Sequence, residues 1–223
     1  MLNEIIEPEI KHDQFYDALK MIAEKQQLKT FLEIGSSSGA GSTEAFVSAI
    51  RQRPDRDEVR LFCMEVSRER YAKLAATYAD DKFVICNNFS SVSLAEFPAP
   101  EEVIQFYNSV LTNLNRAPLA VVLHWLQQDI DYVRSAGFDF NGIERIKREH
   151  QINNFDMVLI DGSEFTGERE FYSISGARVI ALDDINTLKC FNVHQMLKNN
   201  SSYQMLFENM NLRNGFSFFE RKF

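Results

Sequence analysis

The chain has 223 residues, 45% of them hydrophobic, and carries 24 Lys and Arg against 32 Asp and Glu, a net charge of −8. This length supports one good core, read as a single domain over 1–223. The acidic balance excludes nucleic acid as an expected partner, no apolar run reaches membrane-spanning length, and the acidic opening MLNEIIEPEI lacks a leader's basic-then-apolar pattern, so a cytoplasmic protein with no membrane partner is expected.

An N-terminal helical segment is expected over 1–28, with Phe15, Leu19, Met21 and Ile22 at helical spacing. Lys29–Ile34 reads as a strand and is followed by a Gly/Ser loop. Ser42–Arg53 reads as a helix, with Ser42 and Thr43 as N-caps. Val59–Val66 is a second strand carrying Glu65 near its end, Arg68–Tyr78 a helix, and Phe83–Cys86 a third short strand. Cys63 and Cys86 lie inside these strands and, with Cys190, have no metal-type spacing, so free thiols in a reducing compartment are expected. The rhythm then breaks over 89–153, where helical patterns at 101–114, 119–136 and 141–150 make an insertion of roughly sixty residues, far longer than an ordinary connection. The basic run at 144–149 is interleaved with acids and reads as a solvated helix face. Such an insertion forms a lid over the sheet's carboxyl edge or a homodimer contact, with Phe106, Tyr107, Trp125 and Tyr132 as its aromatic surface.

Strands return at Phe155–Ile160, ending in Asp161-Gly162, and at Arg178–Leu182, ending in Asp183-Asp184, with a short helix over 168–174 between them. A helix over 191–199 follows, then two strands around Asn214-Gly215, a favoured tight-turn pair. The fold class is α/β: a doubly wound, mostly parallel sheet with a C-terminal antiparallel hairpin and a helical insertion between strands three and four.

In such a sheet ligands bind outside the carboxyl ends of the strands. Here those ends carry Glu33, Glu65, Asn87-Asn88, Asp161 and Asp183-Asp184. The loop in FLEIGSSSGAGST (31–43) has no Gly-Lys-Ser/Thr for nucleotide phosphates. Its glycines run G-x-x-x-G-x-G rather than G-x-G-x-x-G, and an acid precedes them. A carboxylate beside a pyrophosphate is repulsive, whereas one beside a sulfonium or an ammonium is attractive.

The set E33-x-G35-x-x-x-G39, Glu65 after the second strand, D161-G162 after the fourth, and the closing hairpin resembles the class I S-adenosylmethionine-dependent methyltransferases. The resemblance covers about two thirds of the chain, all but the N-terminal segment and 89–153. It implies S-adenosylmethionine as cofactor: Gly35, Ser36 and Gly39 admit the methionine and ribose moieties, Glu33 orients the amino end, Glu65 accepts from the ribose hydroxyls, and Asn88, or Asn87 with a one-residue shift, reads the adenine edge, with Asp161 also at the cofactor. There is further similarity to cation-dependent O-methyltransferases, which hold Mg²⁺ on an Asp after strand four and an Asp-Asn pair after strand five. It implies Mg²⁺ on Asp161, Asp183 and Asp184, aligning a substrate hydroxyl and lowering its pKa. The lysine base of the catechol type falls near Glu164. The alternative for these acids is that Asp161 touches cofactor while Asp183 or Asp184 caps the next helix. Glu164 and Glu168 either face the mouth or begin that helix.

Asp161, Asp183 and His194 are the catalytic candidates, His194 as base, while His124 beside Trp125 reads as a packed residue. The implied activity is methyl transfer to oxygen of a small-molecule acceptor such as a sugar, polyol or natural product, in the style of bacterial natural-product or glycan enzymes. An NAD-linked Rossmann oxidoreductase and a non-catalytic binding or assembly module are the rival readings.

Overall fold

The computed structural model describes residues 4, 5 and 7–222, so parts of the expected 1–28 segment and the last residue of the expected final strand lie outside the described residues. Chain order is α1 (Gln14–Ala23), β1 (Thr30–Ile34), α2 (Ser42–Arg51), β2 (Arg60–Met64), α3 (Arg68–Thr77), β3 (Val84–Asn87), α4 (Pro100–Ser109), α5 (Leu119–Ala136), α6 (Gly142–His150), β4 (Met157–Ile160), α7 (Gly167–Ser173), β5 (Val179–Asp183), α8 (Phe191–Lys198), β6 (Tyr203–Asn209) and β7 (Phe216–Arg221). The seven strands form one sheet in the order β3-β2-β1-β4-β5-β7-β6. Strands β1 to β5 pair in parallel, and β7 runs antiparallel to both β5 and β6.

The short apolar strands are buried on both faces, and their side chains alternate between two cores. Phe31, Met157, Leu159, Val179 and Ala181 face one core, packed with α1, α2 and Leu74 of α3. Leu32, Val158, Ile160, Ile180 and Leu182 face the other, packed with Ile143 and Ile146 of α6 and with Val193 and Leu197 of α8. The twofold alternation also dictates that Glu33 points into the first core, beside α2.

The helices expected at 119–136 and 141–150 are present, α5 with the expected bounds, and the one expected at 101–114 stops at Ser109, but the three do not form one inserted body. Helix α6 is a layer helix of the main fold, its apolar stripe closing the second core between β3 and β4. The added body is α4, α5 and their connections, which bury Val103, Phe106, Leu114, Val122 and Leu126 around Phe165 from the β4–α7 loop. Helix α5 ends where Gly137 takes a left-handed backbone, φ +75°. Of the aromatic residues expected to form a contact surface, Phe106 and Tyr107 pack within this body and Tyr132 faces a cavity. Trp125 stays 40% exposed, and His124, expected to be packed, is exposed. No helix among the described residues is long and apolar enough to cross a membrane.

The hairpin turn also differs. Strands β6 and β7 are joined by residues 210–215, with Arg213 at φ +52° and Gly215 at φ +79°. This connection lies along the end of β5, where Ile185 N–H donates to Gly215 O and Asn186 N–H to Asn214 O. Backbone bonding to β5 outweighs the two-residue preference of Asn-Gly, and Arg213 and Asn214 are thereby carried to the carboxyl edge.

Assigning α6 to the core rather than to the insertion has a measurable consequence. Ile146→Ala lowers the unfolding free energy by about 2–5 kcal/mol in urea denaturation, whereas Leu111→Ala on the added body changes it by less than about 0.5 kcal/mol.

Candidate functional site

Two glycines set the shape of the loop after β1. Gly35 has φ +90°, and a Cβ there would sit 2.1 Å from the carbonyl oxygen of Asp161 at the end of β4. Gly39 has φ +84°, and its Cβ would strike the Tyr78 ring at 2.7 Å, while the Tyr78 hydroxyl donates to the Gly39 carbonyl at 2.5 Å. Both positions therefore require glycine. Under the loop lies fully buried Glu33, one carboxylate oxygen accepting from Ser36 Oγ and Thr43 Oγ1, each at 2.7 Å, the other without a hydrogen-bond partner. Burial pushes its carboxyl pKa up. The expected Ser/Thr capping of α2 is replaced: Gly41 is the N-cap and makes no side-chain cap bond, while Thr43 serves Glu33.

Two cavities meet at Gly35, Ser37 and Asp161. The first, of about 330 Å³, runs from the β2 end to the added helices. Its walls include Glu65, Phe89, Ser90, Lys189 and, from α5, Asp129 and Tyr132. Glu65 is 5% exposed and accepts from Ser67 N–H at 2.7 Å; burial raises its pKa. Neither asparagine expected at the adenine edge lines this cavity. Asn88 donates to the carbonyls of Glu65 and Val66 at 2.8 and 3.0 Å, which braces the β2 turn, and Asn87 donates to Ile85 O at 2.9 Å. Phe89 and Ser90 face the cavity instead. Helix α5 is held over it by Ser163 Oγ donating to Asp129 at 2.5 Å and by Arg68 N–H donating to the Tyr132 hydroxyl at 3.0 Å. Burial raises the Asp129 pKa.

The second cavity, about 350 Å³, lies between residues 7–10, the Gly/Ser loop and the ends of β4 and β5. Asp183, Asp184, Arg213 and Asn214 are on its wall. The three acids that the sequence brings together are indeed neighbours, but two cations are built in among them. Lys189 Nζ donates to Asp161 Oδ1 at 2.9 Å and to Asp184 Oδ2 at 2.6 Å. Arg213 donates from Nη2 to the two oxygens of Asp183 at 3.0 and 3.1 Å and from Nη1 to Asp13 at 3.1 Å. Asn214 Nδ2 donates to the remaining oxygen of Asp184 at 2.9 Å, and Asp184 holds a left-handed backbone, φ +57°. Burial works against the charge on Lys189, but the carboxylates of Asp161, Asp184 and Glu164 outweigh it and push its pKa well up.

This arrangement does not fit the Mg²⁺ that the resemblance implies. The ammonium sits between the carboxylates that would share the ion, Asp183 is committed to Arg213, and no three metal-ligating side chains converge among the described residues. His194 is a second correction. Its Nδ1 lies 3.0 Å from Ser217 Oγ and its Nε2 3.0 Å from Glu208, with the ring against Phe219, so it packs α8 onto the hairpin and lines neither cavity. Glu164 accepts from Thr187 Oγ1 at 3.2 Å and Lys189 N–H at 3.3 Å, so it organises the β5–α8 loop. Glu168 lies in the first turn of α7 and accepts from Tyr172 and Asn192 at 2.8 Å each.

Sequence reasoning passed over Lys189, Arg213, Asn214, Asp129 and the buried Glu170, whose Oε1 accepts from Ser91 at 2.6 Å and Thr166 at 2.7 Å. The signal for Lys189 is a lone cation among Thr187-Leu188-Lys189-Cys190-Phe191, where every neighbour is apolar or small.

No protein-family model matches this sequence, and no curated relative does. Solved structures do resemble the fold. An O-methyltransferase from Bacillus cereus in complex with SAH shares 12% identity over 93% of this chain and 80% of its own, with a TM-score of 0.52. A methyltransferase from Geobacter sulfurreducens shares 10% over 96% and 82%, with a TM-score of 0.53. The chain has the class I methyltransferase fold.

Breaking the Arg213–Asp183 pair leaves a buried carboxylate unpaired. Arg213→Met lowers stability by about 3–5 kcal/mol, and adding Asp183→Asn recovers part of the loss, as read by a double-mutant cycle of urea unfolding.

Proposed function

We propose that this chain is an S-adenosylmethionine-dependent methyltransferase acting on oxygen of a small-molecule acceptor. The observation that carries this reading is that the glycine loop after β1 and the buried Glu65 at the end of β2 face one cavity. Strand order adds support, because β7 is inserted antiparallel between β5 and β6, unlike the 3-2-1-4-5-6 order of dinucleotide-binding sheets. Charge adds more. Lys189 supplies one positive charge against the two carboxylates of Asp161 and Asp184, so a net negative potential remains at the junction of the cavities. That field favours a sulfonium and disfavours a pyrophosphate.

The residues present fit the cofactor. Gly35 lines both cavities beside Asp161, Gly39 lets the loop close onto Tyr78, and Glu33 holds Ser36 in the loop. Glu65 has the buried carboxylate suited to a ribose diol, and Phe89 with Ser90 takes the place expected of Asn88 at the base. When bound, the cofactor would be held by the loop at Gly35 and by Glu65 and would supply a methyl group on a sulfonium, leaving as a neutral thioether. The acceptor lies on the α5 side, between Asp129, Ser163 and Lys189. Asp129 takes the acceptor's hydroxyl proton on its carboxylate, and the raised pKa that burial gives it makes it a stronger base than an exposed aspartate. Helix α5 would hold the acceptor oxygen in place against the transferred group, the positioning on which the rest of the rate would depend.

Calorimetry with S-adenosylhomocysteine and with NAD separates this reading from its rivals. Binding of the former alone is expected, with Glu65→Ala weakening it by about tenfold or more. Heat from NAD alone would point to an oxidoreductase, and heat from neither to a non-catalytic module.

Asp129 must be ionised to act. Activity should therefore fall as pH drops through its raised pKa, placing the acid limb above the ordinary aspartate range. Asp129→Asn should remove that limb and lower kcat by about 100-fold or more while S-adenosylhomocysteine still binds.

A further inference from the structure

The carboxylates at the ends of β4 and β5 are where the resemblance implies an ion, and this chain has placed an ammonium there. We propose that Lys189 does the divalent cation's work: it bridges Asp161 and Asp184 and holds the acceptor oxygen through its remaining N–H, so the site takes no divalent ion. The acceptor part rests on the methyl-transfer reading; the cation part does not.

Four observations carry this. The Nζ atom lies 2.9 Å from Asp161 and 2.6 Å from Asp184, so one cation bridges the two strand ends. Its position is built. Glu164 accepts from the Lys189 N–H and from Thr187, and Asn214 fixes the far oxygen of Asp184. Asp183, the third expected ligand, is turned to Arg213. Lastly, an ammonium has three donors. Two are used, and Lys189 lines the cavity shared with Asp129 and Ser163.

There is also an exchange of charge. Glu164 stands near where the resemblance expects a lysine, and Lys189 brings the positive charge back from the next loop. The chemistry that follows is narrower than a metal's. A divalent ion has several coordination positions and can chelate two neighbouring oxygens of one acceptor. One N–H holds one oxygen. The substrate class is therefore an acceptor gripped by a single hydroxyl, with Lys189 stabilising the negative charge that grows on it as Asp129 removes the proton.

Mn²⁺ titration followed by electron paramagnetic resonance tests the cation part without any turnover. The wild-type protein should leave Mn²⁺ free at millimolar concentration. Lys189→Met should bind one Mn²⁺ at least about tenfold more tightly than wild type, with Mn²⁺ also raising its Tm, and adding Asp184→Asn should abolish both effects. Stoichiometric Mn²⁺ binding by the wild type overturns the proposal, as does Lys189→Met that folds and binds Mn²⁺ no better than wild type. Should Lys189→Met not fold, the wild-type titration decides alone. Calorimetry with S-adenosylhomocysteine on the same wild-type sample reports the methyltransferase reading separately, so the two can fail independently.

Discussion

The pairing of buried and half-buried carboxylates with two internal cations holds the functional edge of this protein together. A parallel sheet with helices on both faces leaves the carboxyl ends of its strands as the place where polar groups collect. Asp161, Asp183 and Asp184 lie there in close company, and each costs free energy unless it is paired. Lys189 and Arg213 supply the partners, one from the β5–α8 connection and one from the β6–β7 connection. The two connections are tied to each other as well, through the backbone bonds of Ile185 and Asn186 to Gly215 and Asn214. The antiparallel strand, the loop after β5 and the wall of the second cavity thus form one electrostatic unit.

The same loops anchor the cover. Phe165, Leu188 and Phe191 pack into the apolar cluster of α4 and α5, with the Phe106 and Phe191 rings 5.7 Å apart. Their sequence neighbours Glu164, Thr187 and Lys189 are the polar groups of the site. Adjacent residues in these connections thus divide their work between attaching the cover and building the charge network. Excluding water around an ion pair lowers the local dielectric and strengthens it. Seating α5 and holding Lys189 between its carboxylates are therefore mutually reinforcing, and Asp129, on α5 itself, is coupled to both.

Strands and helices were legible because their apolar patterns are local. Short apolar runs ending in acids mark β1, β4 and β5, and α5 has the bounds its periodicity implies. Which body a helix joins is a different kind of information. The stripe of Ile143 and Ile146 shows that α6 buries one face, but not that the face meets the sheet rather than α4 and α5. Acids at strand ends could be read from position, as Glu65 and Asp161 were. Their cations could not, because Lys189 and Arg213 reach across from separate connections whose paths depend on tertiary packing. Asp129 was hidden for a related reason: an acid in an amphipathic helix, here with Asp131 two residues on, reads as solvated unless both faces of that helix are known to be used. Asn214-Gly215 misled in the opposite direction, since a strong local turn preference was overridden by bonding to β5.

The distribution of charge also explains why the loop GSSSGAGS is built from hydroxyls and glycines without a lysine. A cation in that loop would suit phosphate, but it would sit beside buried Glu33 and Asp161 and be drawn into their pairing. Here the cations are kept in the connections after β5 and before β7, paired with Asp161, Asp184 and Asp183, and the loop side holds Glu33, whose burial favours its uncharged form. Charge is therefore held as ion pairs over β4 and β5, while the acids over β1 and β2 are ones that burial pushes toward their neutral form. Moving Lys189 to the loop would leave Asp161 and Asp184 without their shared cation.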